Sequence, residues 1–304
     1  MRAQATVRVP GSTSNLGAGF DCIGVAVERW LRVTARAGAA AREPAIERRG
    51  TLSALDMPPD ADLVYRGFAA ACRRAGREVP TGVSLAADSD IPVARGLGSS
   101  AAATVAGAAA ATALLGLDLD RDVLATLCTE LEGHPDNVAP AVYGGATLVL
   151  PASPGLLVTP LAVHESLAFV FAVPGFTVET KRARAVLPAS VTHAQAAQAA
   201  AKSAALVHGL AHADARLLAA GCDDVLHVPY RRSLVPGYDA VTAAAHAAGA
   251  FGATLSGSGP TLLAIAPLGR AGAVGDAMVR AWQTCGVIAA SFHAARPAGG
   301  LEMD

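Results

Sequence analysis

Lysine is almost absent from this sequence, which contains only Lys181 and Lys202. Neither lysine follows a glycine, which excludes the Gly-Lys-Ser/Thr phosphate loop of the Walker A type. Aromatic residues make up 4% of the chain and charged residues 16%, whereas 52% of residues are apolar. The core must therefore consist mainly of Ala, Val and Leu, and the low charge argues against a disordered chain. Because the net charge is −1 and no basic block stands out, the sequence gives no indication of nucleic-acid binding.

Cysteine spacing and the lack of strongly apolar runs exclude further classes of protein. The five cysteines lie far apart without a C-x-x-C pair, which fits neither a disulfide framework nor a zinc site. The first ten residues contain no apolar run typical of a signal peptide, so we expect a cytoplasmic protein. Residues 96–117 are uncharged, but their Ala, Gly, Ser and Thr are too weakly hydrophobic for a membrane span. We expect a buried helix there and no membrane partner.

The periodicity of apolar residues predicts an α+β fold in two domains, residues 1–152 and 153–304, with a boundary at the Pro- and Gly-containing segment 151–155. Residues 10–21 are interpreted as a turn-rich segment and residues 38–60 as a linker. The predicted strands are residues 5–9, 23–37, 83–87, 168–173, 253–255 and 261–265. The predicted helices are residues 62–74, 100–115, 120–130, 193–220 and 237–248.

The strongest local signal for chemistry is the segment Gly96-Leu-Gly-Ser-Ser-Ala-Ala102. Its glycines allow the backbone to approach an anion closely, and the helix that begins there directs unpaired N–H groups towards it. The segment also matches the dinucleotide pattern G-x-G-x-x-A, with Asp118 downstream. However, that pattern should follow a buried apolar strand, and here the polar residues 88–90 precede it. The segment therefore favours a phosphate loop of another kind.

Five further polar segments could contribute to a site. Residues 130–137 contain three acids, His134 and Asn137; a carboxylate there could bind Mg²⁺, whereas a single histidine makes a poor zinc site. Residues 12–21 collect small polar groups and end in Asp21, and Gly257-Ser-Gly259 could form a wall of a nucleotide pocket. Arginines at 182–184 and 231–232 acquire a role only if a carboxylate needs a bidentate partner. Each segment alone is equally compatible with an ordinary turn or surface.

Taken together, these segments resemble the GHMP kinases, a family of small-molecule kinases that includes galactokinase and mevalonate kinase. The resemblance covers residues 5–265 and rests on motifs that occur in the family's order. They are P-G-S-T-S-N-L-G-A-G-F-D (10–21), P-V-A-R-G-L-G-S-S-A-A (92–102) and G-A-T-L-S-G-S-G-P-T (252–261). The family fold implies an N-terminal domain resembling domain 2 of ribosomal protein S5 and a ferredoxin-like C-terminal domain.

The resemblance implies an ATP- and Mg²⁺-dependent enzyme. Residues 92–102 would bind the ATP phosphates, and Gly257 and Gly259 would complete the nucleotide pocket. In full, the implied phosphate loop is Pro92, Val93, Ala94, Arg95, Gly96, Leu97, Gly98, Ser99, Ser100, Ala101 and Ala102. Ser100 and Glu130 would be the Mg²⁺ ligands. Glu132 is the alternative to Glu130. Because residues two apart on a helix face different ways, only one of the two should point towards the metal.

Three more motifs are similar to those of the family branch that phosphorylates L-homoserine. They are E-G-H-P-D-N-V-A-P-A (132–141), T-K-R-A-R-A-V-L-P (180–188) and D-D-V-L-H-V-P-Y-R (223–231). Residues 195–210 depart from that branch because they lack an expected asparagine and arginine. The product would be O-phospho-L-homoserine, an intermediate of threonine synthesis. The alternatives are another small hydroxylated acceptor, a sensor of the same fold that transfers no phosphate, and a dehydrogenase.

The resemblance also implies an acceptor site. L-Homoserine would be bound by Asn15, Asp21, His134, Asn137, Arg184 and Arg231. The two arginines would bind its carboxylate, and Asn15, Asp21 and Asn137 would carry catalysis. An amide such as Asn137 cannot accept a proton, so the sequence leaves open whether Asp21 is a base or only orients the substrate. A homodimer is compatible with the sequence, which leaves the oligomeric state open.

Overall fold

The computed structural model describes residues 2–38 and 45–304. The strands are β1 Gln4–Asn15, β2 Gly19–Arg36, β3 Ala45–Gly50, β4 Ser84–Ser89, β5 Ala146–Pro151, β6 Leu156–Leu161, β7 Leu167–Pro174, β8 Gly252–Leu255, β9 Leu262–Pro267, β10 Ala289–Ala294 and β11 Glu302–Met303. The α-helices are α1 Leu63–Arg74, α2 Ser99–Leu115, α3 Arg121–Glu132, α4 Val138–Tyr143, α5 Thr180–Ala185, α6 His193–His212, α7 Ala215–Cys222, α8 Val228–Arg231, α9 Tyr238–Ala247 and α10 Ala271–Thr284. Across the described residues, no helix combines the length and apolar character that crossing a bilayer requires.

The first sheet is built around the long hairpin of β1 and β2. Its strand order is β11-β1-β2-β4-β3, and β5 and β6 continue from the other part of β2. All pairs are antiparallel except β3 with β4. Only Leu16–Ala18 separate β1 from β2. The hairpin therefore carries the polar residues 12–15 on a strand rather than on the turn-rich segment that the sequence predicted.

The alanine-rich helix α2 packs against β1, β2 and α1. Most of its residues are buried, which confirms the interpretation of residues 96–117 as a buried helix. Its contact with α1 depends on two glycines. A Cβ on Gly107 would overlap the carbonyl oxygen of Val64, and a Cβ on Gly67 would overlap that of Thr104. The helices therefore approach as closely as their backbones allow.

We expect Gly107→Ala to destabilise the fold by about 1–3 kcal/mol, because the added methyl group must push α1 away from α2. Gly272→Ala is the matched control, since it also lies in a helix but a Cβ there meets nothing within 4 Å. That control should be neutral or stabilise by up to about 1 kcal/mol. Chemical denaturation of both variants measures the difference. Equal shifts of the two midpoints would show that the α1–α2 contact is loose.

The second sheet has the antiparallel order β10-β7-β9-β8. If these four strands are numbered 1 to 4 along the chain, their order in the sheet is 4-1-3-2. This is the strand order of a ferredoxin-like βαββαβ unit, which confirms the fold predicted for the C-terminal half. Its own core contains Trp282, Met278 and Val241. The helix α10 and strand β10 that complete this unit were not predicted from the sequence.

Two sequence-based interpretations need correction. Part of the predicted linker 38–60 lies outside the described residues, but residues 45–50 form strand β3, paired in parallel with β4. The predicted division between residues 152 and 153 does not separate the two sheets. Strand β6 (Leu156–Leu161) pairs with β5, and β11 (Glu302–Met303) pairs with β1, so both belong to the first sheet. Two strands that follow residue 152 in the sequence therefore complete the first sheet.

Candidate active site

A cavity of about 490 Å³ lies where the β1–β2 hairpin, the start of α2, the α3–α4 turn, α5 and α8 meet. Its size is typical of a small-molecule site. All six residues predicted for acceptor binding line it: Asn15, Asp21, His134, Asn137, Arg184 and Arg231. Residues from distant parts of the sequence therefore share one cavity.

The start of α2 forms one wall of this cavity. Gly98 precedes the helix with φ 68°, and within the described residues no side chain caps the first turn. The backbone N–H groups of that turn have no partner within the helix, and they point towards its N-terminal end. The helix dipole adds partial positive charge there, so the wall is suited to bind an anion.

The predicted phosphate-loop residues divide into two groups. Those that line the cavity are Val93, Ala94, Gly96, Gly98, Ser99, Ser100 and Ala101, together with Gly257 from the β8–β9 turn. Pro92, Arg95, Leu97, Ala102 and Gly259 are outside the lining. Leu97 is buried in the core. Arg95 donates hydrogen bonds to the carbonyls of Val93, Pro174 and Gly175. The Arg95 side chain therefore fastens the loop to the end of β7, away from the site of an anion.

Glu132 is the acidic residue beside the phosphate loop. The Ser100 hydroxyl donates to its carboxylate at 2.8–2.9 Å, and Thr104 Oγ1 donates to Oε1 at 2.8 Å. Glu130 is exposed and does not line the cavity. Of the two glutamates that the sequence offers as metal ligand, Glu132 lies at the cavity and Glu130, the preferred one, does not. The physical reason is that the two residues lie on different faces of α3.

Asp21 and Arg184 form a bidentate ion pair in the cavity wall. Arg184 Nη1 and Nη2 donate to the two carboxylate oxygens at 3.1 and 2.9 Å. Both side chains remain about one-third exposed, at 37% and 34%. Asn15 fixes the position of this pair, because its Oδ1 accepts from the Asp21 N–H and its Nδ2 donates to the Gly257 carbonyl. Asn15 therefore connects the acceptor side of the cavity to the β8–β9 turn.

Asn137 is held by the polar residues of β1. Ser12 donates to Asn137 Oδ1, and Asn137 Nδ2 donates to Ser14 Oγ, each at 2.9 Å. The amide is thus fixed in orientation between the hairpin and α4. Ser12 and Ser14 were quoted in the hairpin motif, but the sequence assigned them no individual role.

A buried acid that the sequence analysis did not select, Asp136, supports His134. The imidazole Nδ1–H donates to Asp136 Oδ1 at 2.6 Å. Burial disfavours both charged forms, but the pairing outweighs it, so that the pKa of His134 is raised and that of Asp136 is lowered. The ring therefore tends to carry positive charge beside the cavity. The i, i+2 spacing of a histidine and an acid in a turn is the only sequence signal for this pair.

Arg231 is the most enclosed cation of the site, with 2% of its surface exposed. Its Nε donates to the Ala183 carbonyl at 3.0 Å. Burial, followed by the nearby charge of Arg184, lowers the pKa of Arg231 to about 10. The guanidinium remains cationic at neutral pH and lies close to a second cation, so this corner of the cavity attracts an anion.

Part of the cavity lining is an apolar slot that the sequence analysis missed. Leu52, Leu55, Met57 and Leu63 line it. Arg48 Nε donates to Asp62 Oδ2 at 2.8 Å, and Arg48 Nη2 donates to the Met57 carbonyl at 3.1 Å. The slot was missed because most of these residues fall in the segment interpreted as a linker.

Comparisons with known proteins identify the family of the chain. The family model described as the GHMP kinases N terminal domain matches residues 62–145, and the model described as GHMP kinases C terminal matches residues 197–284. The chain belongs to the GHMP kinase family. The relatives give the chain a general chemistry, the transfer of a phosphoryl group to a small molecule.

Relatives and solved structures within the family are similar over nearly the whole chain. A homoserine kinase from Picosynechococcus sp. is 43% identical over 92% of this chain and 93% of its own. The crystal structure of homoserine kinase from Cytophaga hutchinsonii superposes with a TM-score of 0.89, at 31% identity and with 100% and 98% of the two chains covered. Mevalonate kinase from L. major, at 15% identity and TM-score 0.72 over 99% of each chain, shares the fold.

Proposed function

We propose that this GHMP kinase transfers the γ-phosphoryl group of ATP to the side-chain hydroxyl of L-homoserine. The observation that carries the proposal is the composition of one cavity. An uncapped helix N-terminus suited to phosphate faces an acid and two arginines suited to the ammonium and carboxylate of an amino acid. The homoserine kinases at 37–44% identity support the choice of amino acid.

The lining of the cavity supports one orientation of the nucleotide. Its phosphates would lie on the N–H groups at the start of α2, between Gly96 and Ala101. Its base would then occupy the apolar slot, where the carboxylate of Asp62 can accept from an exocyclic amine. An apolar slot with few polar groups is the usual form of a base pocket.

Ser100 and Glu132 would hold Mg²⁺ against the phosphates. Hydroxyl and carboxylate oxygens are the ligands that this cation prefers, and it takes its remaining ligands from phosphate and water. The described residues contain no group of three or more His, Cys, Asp or Glu side chains that could form a metal site by themselves. Two protein oxygens beside a phosphate loop fit this mode of binding. When bound, the ion would neutralise charge on the phosphates.

The acceptor hydroxyl would attack the γ-phosphorus in line, so that an oxygen–phosphorus bond forms and the bond to the ADP oxygen breaks. The hydroxyl proton would pass to an oxygen of the transferred phosphoryl group. Phosphoryl transfer needs little covalent help from the protein, because its loose transition state depends mainly on placement and charge neutralisation. Asn137 would orient the hydroxyl and His134 would supply positive charge. The pairing of both Asp21 oxygens with Arg184 favours an orienting role for Asp21 over that of a base.

Steady-state kinetics with a panel of acceptors tests this function. We expect Mg²⁺-dependent ADP release with L-homoserine and at least about a hundredfold lower kcat/KM with L-serine, L-threonine, mevalonate and galactose, since misplaced hydroxyls lose in-line geometry. Turnover of mevalonate without turnover of homoserine would refute the choice of acceptor. We further expect the reaction to take place in the cytoplasm, where ATP and free amino acids occur together.

We expect Arg231→Ala to raise the KM for L-homoserine about tenfold to a hundredfold, because a charged hydrogen bond to the carboxylate is lost. The KM for ATP should stay within about twofold. Arg232→Ala is the matched control, since the neighbouring side chain is exposed and its nearest acid, Asp239, is 3.6 Å away. Initial rates at varied homoserine and saturating ATP give the comparison. An unchanged homoserine KM in Arg231→Ala would show that the carboxylate binds elsewhere.

A further inference from the structure

His227 is a buried residue that contacts Arg231, one of the proposed acceptor-binding residues. The ring is fully buried, at 0% exposure, and lies just before the short helix α8 that carries Arg231. Its Nε2 is 3.0 Å from the carbonyl oxygen of Gly17, in the β1–β2 hairpin loop. Its Nδ1 is 3.3 Å from Arg231 Nη1. One imidazole therefore connects the hairpin loop to the innermost arginine of the cavity.

The hydrogen-bond neighbours of the ring indicate its protonation state. The Asp224 carboxylate, whose Oδ2 is 3.7 Å from Nε2, lies on the Nε2 side of the ring. A carbonyl oxygen can only accept a hydrogen bond, so Nε2 must carry the proton. A guanidinium can only donate, so Nδ1 must offer its lone pair. The imidazolium would direct a second N–H at Arg231, without an acceptor. The ring is therefore the neutral Nε2–H tautomer, and burial accordingly lowers the pKa of His227, with Arg231 acting in the same direction and Asp224 opposing it.

The surroundings of the ring leave it little freedom. The carboxylate of Asp224 accepts from the backbone N–H groups of Leu226, His227 and Val228 and so fixes the segment that enters α8. The Phe20 ring stacks on the imidazole with centroids 5.0 Å apart, and the Arg231 guanidinium lies 5.3 Å from the Phe20 centroid. Charged and titratable groups facing the ring are Asp224, Arg231 and, through the hairpin, Asp21.

We propose that His227 is a positioning residue whose neutral imidazole accepts a hydrogen bond from Arg231 and thereby directs the remaining guanidinium N–H groups at the substrate carboxylate. The Ala183 carbonyl takes the Nε–H and His227 takes one Nη1–H. Among the described residues, the other three N–H bonds of Arg231 have no hydrogen-bond partner, and the side chain lines the cavity. The ligand group that Arg231 would bind is a carboxylate. That this carboxylate belongs to an amino acid rests on the proposed function.

Two substitutions separate the two hydrogen bonds of the ring. In His227→Asn the side-chain oxygen can take the place of Nδ1 and accept from Arg231, while the bond to Gly17 is lost. In His227→Gln the amide nitrogen can reach the place of Nε2 and donate to Gly17, while the acceptor for Arg231 is lost. We expect His227→Gln to raise the homoserine KM about tenfold, the loss of a hydrogen bond to a charged group, and His227→Asn to stay within about threefold. The KM for ATP should not change in either variant.

A purely structural role of His227 would not produce this difference in homoserine KM between the two variants. Thermal unfolding of both variants measures how much each substitution destabilises the fold. Kinetics are then measured well below the lower of the two unfolding midpoints. Equal increases of the homoserine KM in the two variants, or a larger increase in His227→Asn, would overturn the proposal. As a further readout, 3-aminopropan-1-ol lacks the carboxylate, so its poor turnover should be the same in wild type and His227→Gln. A tenfold loss for this analogue as well would also overturn the proposal.

The tautomer can be observed without any turnover. Long-range ¹H–¹⁵N correlation spectra of the wild-type protein, assigned through the His227 variants, should show a neutral Nε2–H ring at pH 7 with a hydrogen-bonded Nδ1. An imidazolium or an Nδ1–H ring would overturn the inference. This measurement separates the two hypotheses: if homoserine is not a substrate, the proposed function fails while the spectrum still tests the bond between His227 and Arg231.

Discussion

Glu132→Gln is expected to reduce kcat at least about a hundredfold, since it removes the negative charge that would hold Mg²⁺ against the phosphates while keeping the size of the side chain. The amide oxygen can still accept from Ser100 and Thr104, which now donate to the carboxylate. The local fold should therefore persist. The apparent affinity for Mg²⁺, measured by titrating the metal at saturating ATP and homoserine, should fall together with kcat.

Glu130→Gln is the matched control for this experiment. It changes the same charge two residues earlier on the same helix, but Glu130 is exposed and does not line the cavity. Its kcat should remain within about twofold of wild type. If kcat falls by a similar small factor in both variants, or falls further in Glu130→Gln, the metal is held elsewhere and the assignment of Glu132 is wrong.

The second large effect is expected from Gly98→Ala. Gly98 has φ 68°, and a Cβ there would overlap the Ser12 hydroxyl and lie 2.9 Å from the Ser12 nitrogen. Because Ser12 also donates to Asn137, the collision would displace the phosphate loop and disturb the acceptor side together. We expect ATP affinity to fall about a hundredfold, since small misplacements at an active site have effects of this size. Isothermal titration with ATP and Mg²⁺ measures it.

Gly116→Ala separates this collision from ordinary backbone strain. Gly116 ends the same helix with φ 62°, but a Cβ there meets nothing within 4 Å. Both variants carry the left-handed strain of about 1–2 kcal/mol that a side chain adds. Only Gly98→Ala should lose ATP affinity. Similar ATP affinities in the two variants would show that the close approach of the loop to Ser12 is unimportant for nucleotide binding.

The glycine-containing motifs made it predictable that the proposed phosphate loop and the proposed acceptor residues share one cavity, because their residue types and order are specific. Conformational demands underlie that specificity: Gly96 would collide with the Ser256 carbonyl if it had a Cβ. The alanine-rich helix was predictable from composition alone, since uncharged small residues pack closely against a sheet.

The other features of the fold and the site could not be predicted, because they depend on contacts between residues that are distant in the sequence or on the orientation of a helix. The choice between Glu130 and Glu132 needed the rotation of α3 relative to Ser100. Strand β3 was hidden in a polar segment because its residues gain their order from pairing with β4. His227 acts through a neighbour from a distant part of the chain, Gly17, so no local pattern identified it. The i, i+2 spacing of His134 and Asp136 did not reveal that Asp136 is buried and paired.

The central claim is that one cavity holds the ATP phosphates at the start of α2 and the amino acid at Arg184 and Arg231. A crystal structure with a non-hydrolysable ATP analogue, Mg²⁺ and L-homoserine tests it most directly. We expect the γ-phosphate within hydrogen-bonding distance of the N–H groups of residues 96–101, the metal between Ser100 and Glu132, and the homoserine carboxylate on Arg231. Phosphates bound away from α2, or a carboxylate without an arginine partner, would contradict the account.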